Sequence, residues 1–167
     1  YQMLDWKWIT LPWLPIALLG TAVAFVIGFK NNASYDRLWE ARRIWGSITN
    51  FSRAWGIMVK DYVTNHHAKN TVSEEALKAI HFELYQRHFA WITALRYQLR
   101  EPKTWEAINL PHNREYRDLF FRVEEQENKL ADAIRPYLST EEYENVMAKS
   151  NKAAQILALQ SAHLRQL

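Results

Sequence analysis

The 21 positions from Ile9 to Phe29 carry no charged residue, and this run limits what the chain can fold into more than any other feature. About 20 consecutive apolar residues is the length of a membrane-crossing helix. Trp6, Trp8 and Trp13 stand at one end of the run, where aromatic side chains gather at a membrane–water boundary. Lys30, Arg37, Arg42 and Arg43 follow the other end, and by the positive-inside rule that end is cytoplasmic. Pro12 and Pro15 fall inside the run. A helix starts most naturally at Pro15, which leaves about 14 apolar residues before Lys30, a length that also suits a buried core helix. Two roles therefore stay open at this point: a short span completed by neighbours, or the core helix of a water-soluble fold.

The rest of the chain meets water, since the mean hydropathy over all residues is −0.37. Six of the 8 Trp (Trp6, Trp8, Trp13, Trp39, Trp45 and Trp55) lie in the first third, so the two ends face different solvents. Only 4 Gly and 5 Pro interrupt the sequence, which favours long helices over many-turned β structure. With no Cys, disulfides, thiol catalysis and Cys-ligated zinc are excluded. A net charge of +3 is too small to mark a nucleic-acid binder without a concentrated patch. The pattern starts abruptly at Tyr1 and stops within a helical stretch at Leu167, which reads as a piece of a longer protein.

Helical signals continue from Asn31 to about Val63, and Thr64–Asn70 reads as a polar loop. Thr71-x-x-Glu74 has the form of a capping box and opens a helix to Glu101, stopped by Pro102. Trp105 to Pro111 is a connection, and a third helix runs from Asn113 to Arg135, ended by Pro136. Ser139-x-x-Glu142 is a second capping box, opening a helix through Ala148, and Asn151 caps a last one. The series Ala79, Phe82, Tyr85, Phe89, Ile92 and Leu99 keeps helical spacing and reads as the core face of its helix. The fold class is all-α. A long helix over 1–63 continues into a helical bundle over 64–167 that is incomplete at its C-terminal end.

At about 100° per residue, Thr21, Phe25, Phe29, Asn32 and Asp36 share one narrow stripe of the first helix. Gly20, Ala24 and Gly28 form a second stripe of small residues, the kind that lets helices approach closely within a membrane. If copies of this helix ring an axis, the phenyl rings make a hydrophobic constriction and Asn32 and Asp36 line a wetter vestibule. The bland alternative is core packing for the aromatic stripe and a solvated charged face for Asp36, with Arg37, Glu40 and Arg43 spaced for pairing along the helix.

The stretch from Leu18 to Gly46, with its run Gly28-Phe29-Lys30-Asn31-Asn32-Ala33-Ser34-Tyr35-Asp36-Arg37-Leu38-Trp39-Glu40-Ala41-Arg42-Arg43-Ile44-Trp45-Gly46, resembles the second transmembrane helix of bacterial bestrophins. Ala94-Leu95-Arg96-Tyr97-Gln98-Leu99-Arg100 and the segment Leu159 to Leu167 resemble later segments of the same family. The resemblance implies a subunit of a ring-shaped homopentamer in the inner membrane, multi-pass when complete, with residues 30–167 cytoplasmic. It also implies passive conduction of small monovalent ions, chloride or sodium and potassium, through a neck ringed by Thr21, Phe25 and Phe29. The family's first membrane helix would precede Tyr1 and its last two would follow Leu167. Thr21 stands where an aliphatic residue is common, which makes the uppermost ring wetter, and Leu38 stands where many members have Trp. No calcium site is implied within this chain, and no cofactor.

A phenyl ring offers a positive edge to anions and a negative face to cations, so the neck alone does not choose between them. A ring of Asp36 carboxylates would attract cations, which tilts the reading towards a cation pathway, with anions close behind. The runner-up is a soluble or membrane-associated helical module that binds a partner without conducting, and it differs in purifying without detergent. No metalloprotease, nucleophile-elbow, phosphate-loop or dinucleotide motif occurs, and no Glu-x-x-His site, so no enzyme is read here. His66-His67 reads as solvated, and His88, beside Phe89 and Trp91, as a packing residue.

Overall fold

A computed structural model describes residues 13–66, 68, 70–103, 110–120 and 123–167. Every regular element among them is helical. They run in the order α1 (Trp13–Tyr62), α2 (Glu74–Arg100), α3 (Pro111–Phe120), α4 (Glu124–Glu127), α5 (Leu130–Ile134), a 3₁₀ turn (Arg135–Tyr137), α6 (Thr140–Met147) and α7 (Lys152–Leu164). The all-α class holds. Packing divides the chain into two compact units, Tyr1–Phe51 and Ser52–Leu167. That line falls within α1, earlier than the helix end near residue 63.

α1 has 50 residues, about 75 Å of helix at 1.5 Å per residue. It is already helical at Trp13, two residues before Pro15. The helix satisfies its own polar side chains. The hydroxyls of Thr21, Ser34, Ser47 and Thr49 each donate to the carbonyl four residues earlier, at 2.9–3.0 Å. Such back-bonding removes a polar liability on an apolar surface. The polar loop that follows is tied by Asn65, whose side chain donates to Val72 O at 2.9 Å and accepts from Val72 N at 3.1 Å.

That tie corrects the start of α2. With its N–H and C=O both bonded to Asn65, Val72 stays outside the helix, and the cap is Ser73 and not Thr71. Ser73 Oγ accepts from Ala76 N at 3.2 Å, and Glu74 opens the helix instead of closing a capping box. The two later caps are as the sequence indicates. Ser139 and Glu142 form a reciprocal capping box on α6, and Asn151 accepts from Ala154 N at 3.0 Å to start α7.

The single helix expected over Asn113–Arg135 is replaced by α3, α4 and α5. Positions nine apart lie on opposite faces of a continuous helix. Yet Glu125 comes within 2.7 Å of Arg96 on α2, while Ile134 is buried against Ala90 and Ala94 of the same helix. Only a break lets both face α2, and Asn128 and Lys129 supply it in extended conformation.

The core of the second unit joins Ala90 and Ala94 of α2 to Ile134, Val146, Ala153 and Ile156, with Trp91, Leu95, Tyr137, Tyr143 and Leu159 packed around them. Fully burying one aliphatic side chain stabilises by about 1.5–3 kcal/mol. The core face of α2 is therefore Leu84, Arg87, Ala90 and Ala94. The expected face fails in part: Phe82 is 63%, Phe89 54% and Leu99 58% exposed. The small alanines, not the phenyl rings, let α5 and α7 come close.

Arg87 is a charged residue within that face, 6% exposed. Its Nε donates to Glu142 Oε1 at 2.5 Å, one Nη donates to Glu83, and the other donates to His163 Nδ1 at 2.5 Å. The network ties α2, α6 and α7 together, and Gln160 adds a bond to Leu84 O. Glu83 pairs with Arg87, and Arg96 with Glu124 and Glu125. Truncating one member of a buried ion network leaves the others desolvated and unpaired. Arg87→Leu should lower the unfolding free energy of the protein's 52–167 bundle by about 3–5 kcal/mol, measured by urea unfolding followed by circular dichroism.

Candidate functional site

α1 places the stripe residues on one unbroken helix. Phe25 and Phe29 lie one turn apart with ring centroids 5.6 Å from each other and planes tilted by 49°. They are 64% and 66% exposed, and Thr21, Asn32 and Asp36 beside them are exposed too. Thr21 spends its hydroxyl proton on Ala17 O at 2.9 Å. It therefore offers a methyl group and acceptor lone pairs to its surroundings, and no donor.

The aliphatic residues of α1 are equally uncovered, with Leu18, Leu19, Val23, Val26 and Ile27 all more than half exposed. α1 is long and apolar enough to cross a membrane, and none of its most apolar window is buried. Among the described residues, nothing packs over it as a core helix would be packed. Trp6 and Trp8 lie outside the described residues. A Cβ added at Gly20 or Gly28 would meet nothing within 4 Å, so neither glycine is used for close packing among the described residues. No ion pair joins Asp36, Arg37, Glu40, Arg42 or Arg43 within the described residues, so the expected pairing along this face is not formed.

The last part of α1, from Ser52 on, is held by α2. Tyr85 donates its hydroxyl to Gly56 O at 3.2 Å, and His81 Nε2 lies 2.7 Å from Val63 O. His88 sits between Trp55 of α1, stacked at 6.3 Å, and Trp91, tilted at 5.2 Å. His88 is thus a packing residue, as its apolar neighbours indicated. His67 lies outside the described residues. Among the described residues no group of three or more His, Asp or Glu side chains gathers to hold a metal ion.

A helix long and apolar enough to cross a membrane, in a chain whose remaining described elements are all helical, points to a class: the helical membrane proteins. The chain belongs to the bestrophins, since the family profile described as bacterial/fungal bestrophin protein matches residues 1–167. It is 39% identical over 100 residues to a voltage-dependent anion channel-forming protein of Ralstonia nicotianae, an alignment covering 58% of this chain and 29% of that one. It is 27% identical over 145 residues to a voltage-dependent anion channel-forming protein of Escherichia coli, covering 87% of this chain and 35% of that one. A relative of the same description in Mesorhizobium japonicum is 36% identical over 72 residues, 41% of this chain and 22% of that one. The chain thus spans about a third of the length of these relatives, which are described as channel-forming proteins and not as enzymes. No solved structure matches.

Burial lowers the imidazole pKa of His88 from its ordinary 6.5. The fold therefore favours the neutral ring. The stability this residue contributes is present above pH 6.5 and lost as the pH falls through the lowered native value. Thermal melts from pH 7.5 to 5 should show an acid-side fall in Tm that is smaller in His88→Phe, which keeps the stacking and removes the titration. Equal falls in both proteins would show that folding leaves the His88 pKa unshifted.

Proposed function

We propose that this chain is the pore-lining part of an anion channel subunit, in which α1 spans the membrane and copies of it surround a central path. The observation that carries the reading is the exposed stripe Thr21, Phe25 and Phe29 on a membrane-length helix with no cover from its own chain. In a ring of subunits, a homopentamer in this reading, these side chains form a hydrophobic neck that gates by dewetting. Asn32 and Asp36 line the vestibule beyond it. Gly20, Ala24 and Gly28 are the contact between neighbouring helices, a role that their open surroundings within one chain support. The basic residues after the span support a cytoplasmic location for residues 30–167, in a protein of the inner membrane that crosses it more than once.

Anions are favoured over cations as the conducted species because the channel-forming relatives are described as anion channels. The carboxylate of Asp36 alone would favour the opposite sign, so a second charge on the path has to outweigh it. Planar-bilayer recording of the protein under a KCl gradient tests the reading, with Phe25→Ala alongside. Removing five phenyl rings from the narrowest point should raise single-channel conductance several-fold. Identical currents in the two proteins, or none in either from folded and inserted protein, would leave the neck assignment without support.

A further inference from the structure

We infer that Arg43 forms a binding ring for small inorganic anions on the cytoplasmic approach to the neck, an inference that rests on the pore reading of α1. At about 100° per residue from Thr21, the stripe runs from 0° to about 80°, and Arg43 falls near 40°, on its midline. Lys30, Arg37 and Arg42 fall on other faces of the helix. α1 is continuous through this region, so no kink or bulge takes Arg43 off the stripe. Arg43 is exposed, and no carboxylate lies within ion-pair distance of it among the described residues, although Glu40 and Asp36 are on the same helix. Its guanidinium is therefore uncommitted.

The chemistry fits a hydrated monovalent anion. A guanidinium stays charged at any working pH and presents N–H donors in a fixed plane. Arg43 lies seven residues from Asp36, about 10 Å along the helix, slightly more than the Debye length of about 8 Å at physiological ionic strength. The two rings therefore act as separate sites in series. An ion entering from the cytoplasmic side meets the Arg43 ring first and the Asp36 ring second. Anions are concentrated at the first ring before they face the carboxylates, and cations are depleted there. The stripe thus carries its own source of anion preference, placed where a cation-attracting vestibule needs one.

The experiment is reversal-potential measurement under a KCl gradient in planar bilayers, on the wild-type protein, Arg43→Gln, Arg43→Lys and Phe25→Ala. The anion-to-cation permeability ratio should fall by roughly tenfold in Arg43→Gln, the lower end of what a charged funnel adds to local ion concentration. It should be retained in Arg43→Lys, because the ring needs charge and not a guanidinium fork. If Phe25→Ala raises conductance while Arg43→Gln leaves the ratio unchanged, the anion ring is wrong and the pore reading stands. If neither variant changes any current, the pore reading falls and the ring with it. A ratio that falls equally in Arg43→Gln and Arg43→Lys would also overturn the inference, since charge alone would not be what the site supplies.

Discussion

The apolar surface of α1 has no cover among the described residues, and that is the constraint on which the reading of this protein depends. Apart from Val59, no residue of the 50-residue helix is buried. A single exposed Leu or Val is ordinary on a soluble protein, but a continuous apolar surface of this length in water is not. The helix is built for surroundings that supply no hydrogen bonds: its backbone groups pair within the helix and its hydroxyls pair with its own carbonyls. In the proposed channel, lipid covers some of its faces and further copies cover others. The phenyl, small-residue and aliphatic sides of the helix divide those tasks.

The 52–167 bundle answers the opposite demand. It faces water, and it is small enough that core burial alone leaves little margin. Its helices meet at alanines, and its buried face spends one position on a guanidinium with three acceptors from two other helices and its own. A buried ion network of this kind adds less net stability than an apolar cluster of equal volume. It does impose a single arrangement, because Arg87 reaches Glu142 and His163 only when α6 and α7 are both seated.

Sequence reading recovered the parts governed by local rules and missed those governed by tertiary competition. The long helix, the Ser139–Glu142 box and the Asn151 cap follow from residue type and spacing alone, and the stripe of Phe25 and Phe29 follows from helical period. Ser73 displaced Thr71 as a cap because Asn65 binds both backbone groups of Val72, a contact no local pattern contains. The break at Asn128 and Lys129 exists because Glu125 and Ile134 must both face α2. The aromatic face of α2 misled because phenyl rings were equated with burial, while the tight contacts needed alanine. Arg43 was read as one of three pairing charges. It was legible as part of the stripe only by carrying the same period beyond Asp36, once the structure placed no partner beside it.

The Arg87 network also sets a schedule for synthesis. Arg87 and His163 are 76 residues apart, which at 5–20 residues per second is about 4–15 s of translation. During that interval α2 has left the ribosome tunnel with its guanidinium and its alanine face uncovered, while α1, made earlier, already needs an apolar environment. Any factor that shields α2 in that window, whether a chaperone or the membrane surface, acts on a face that the finished protein hides.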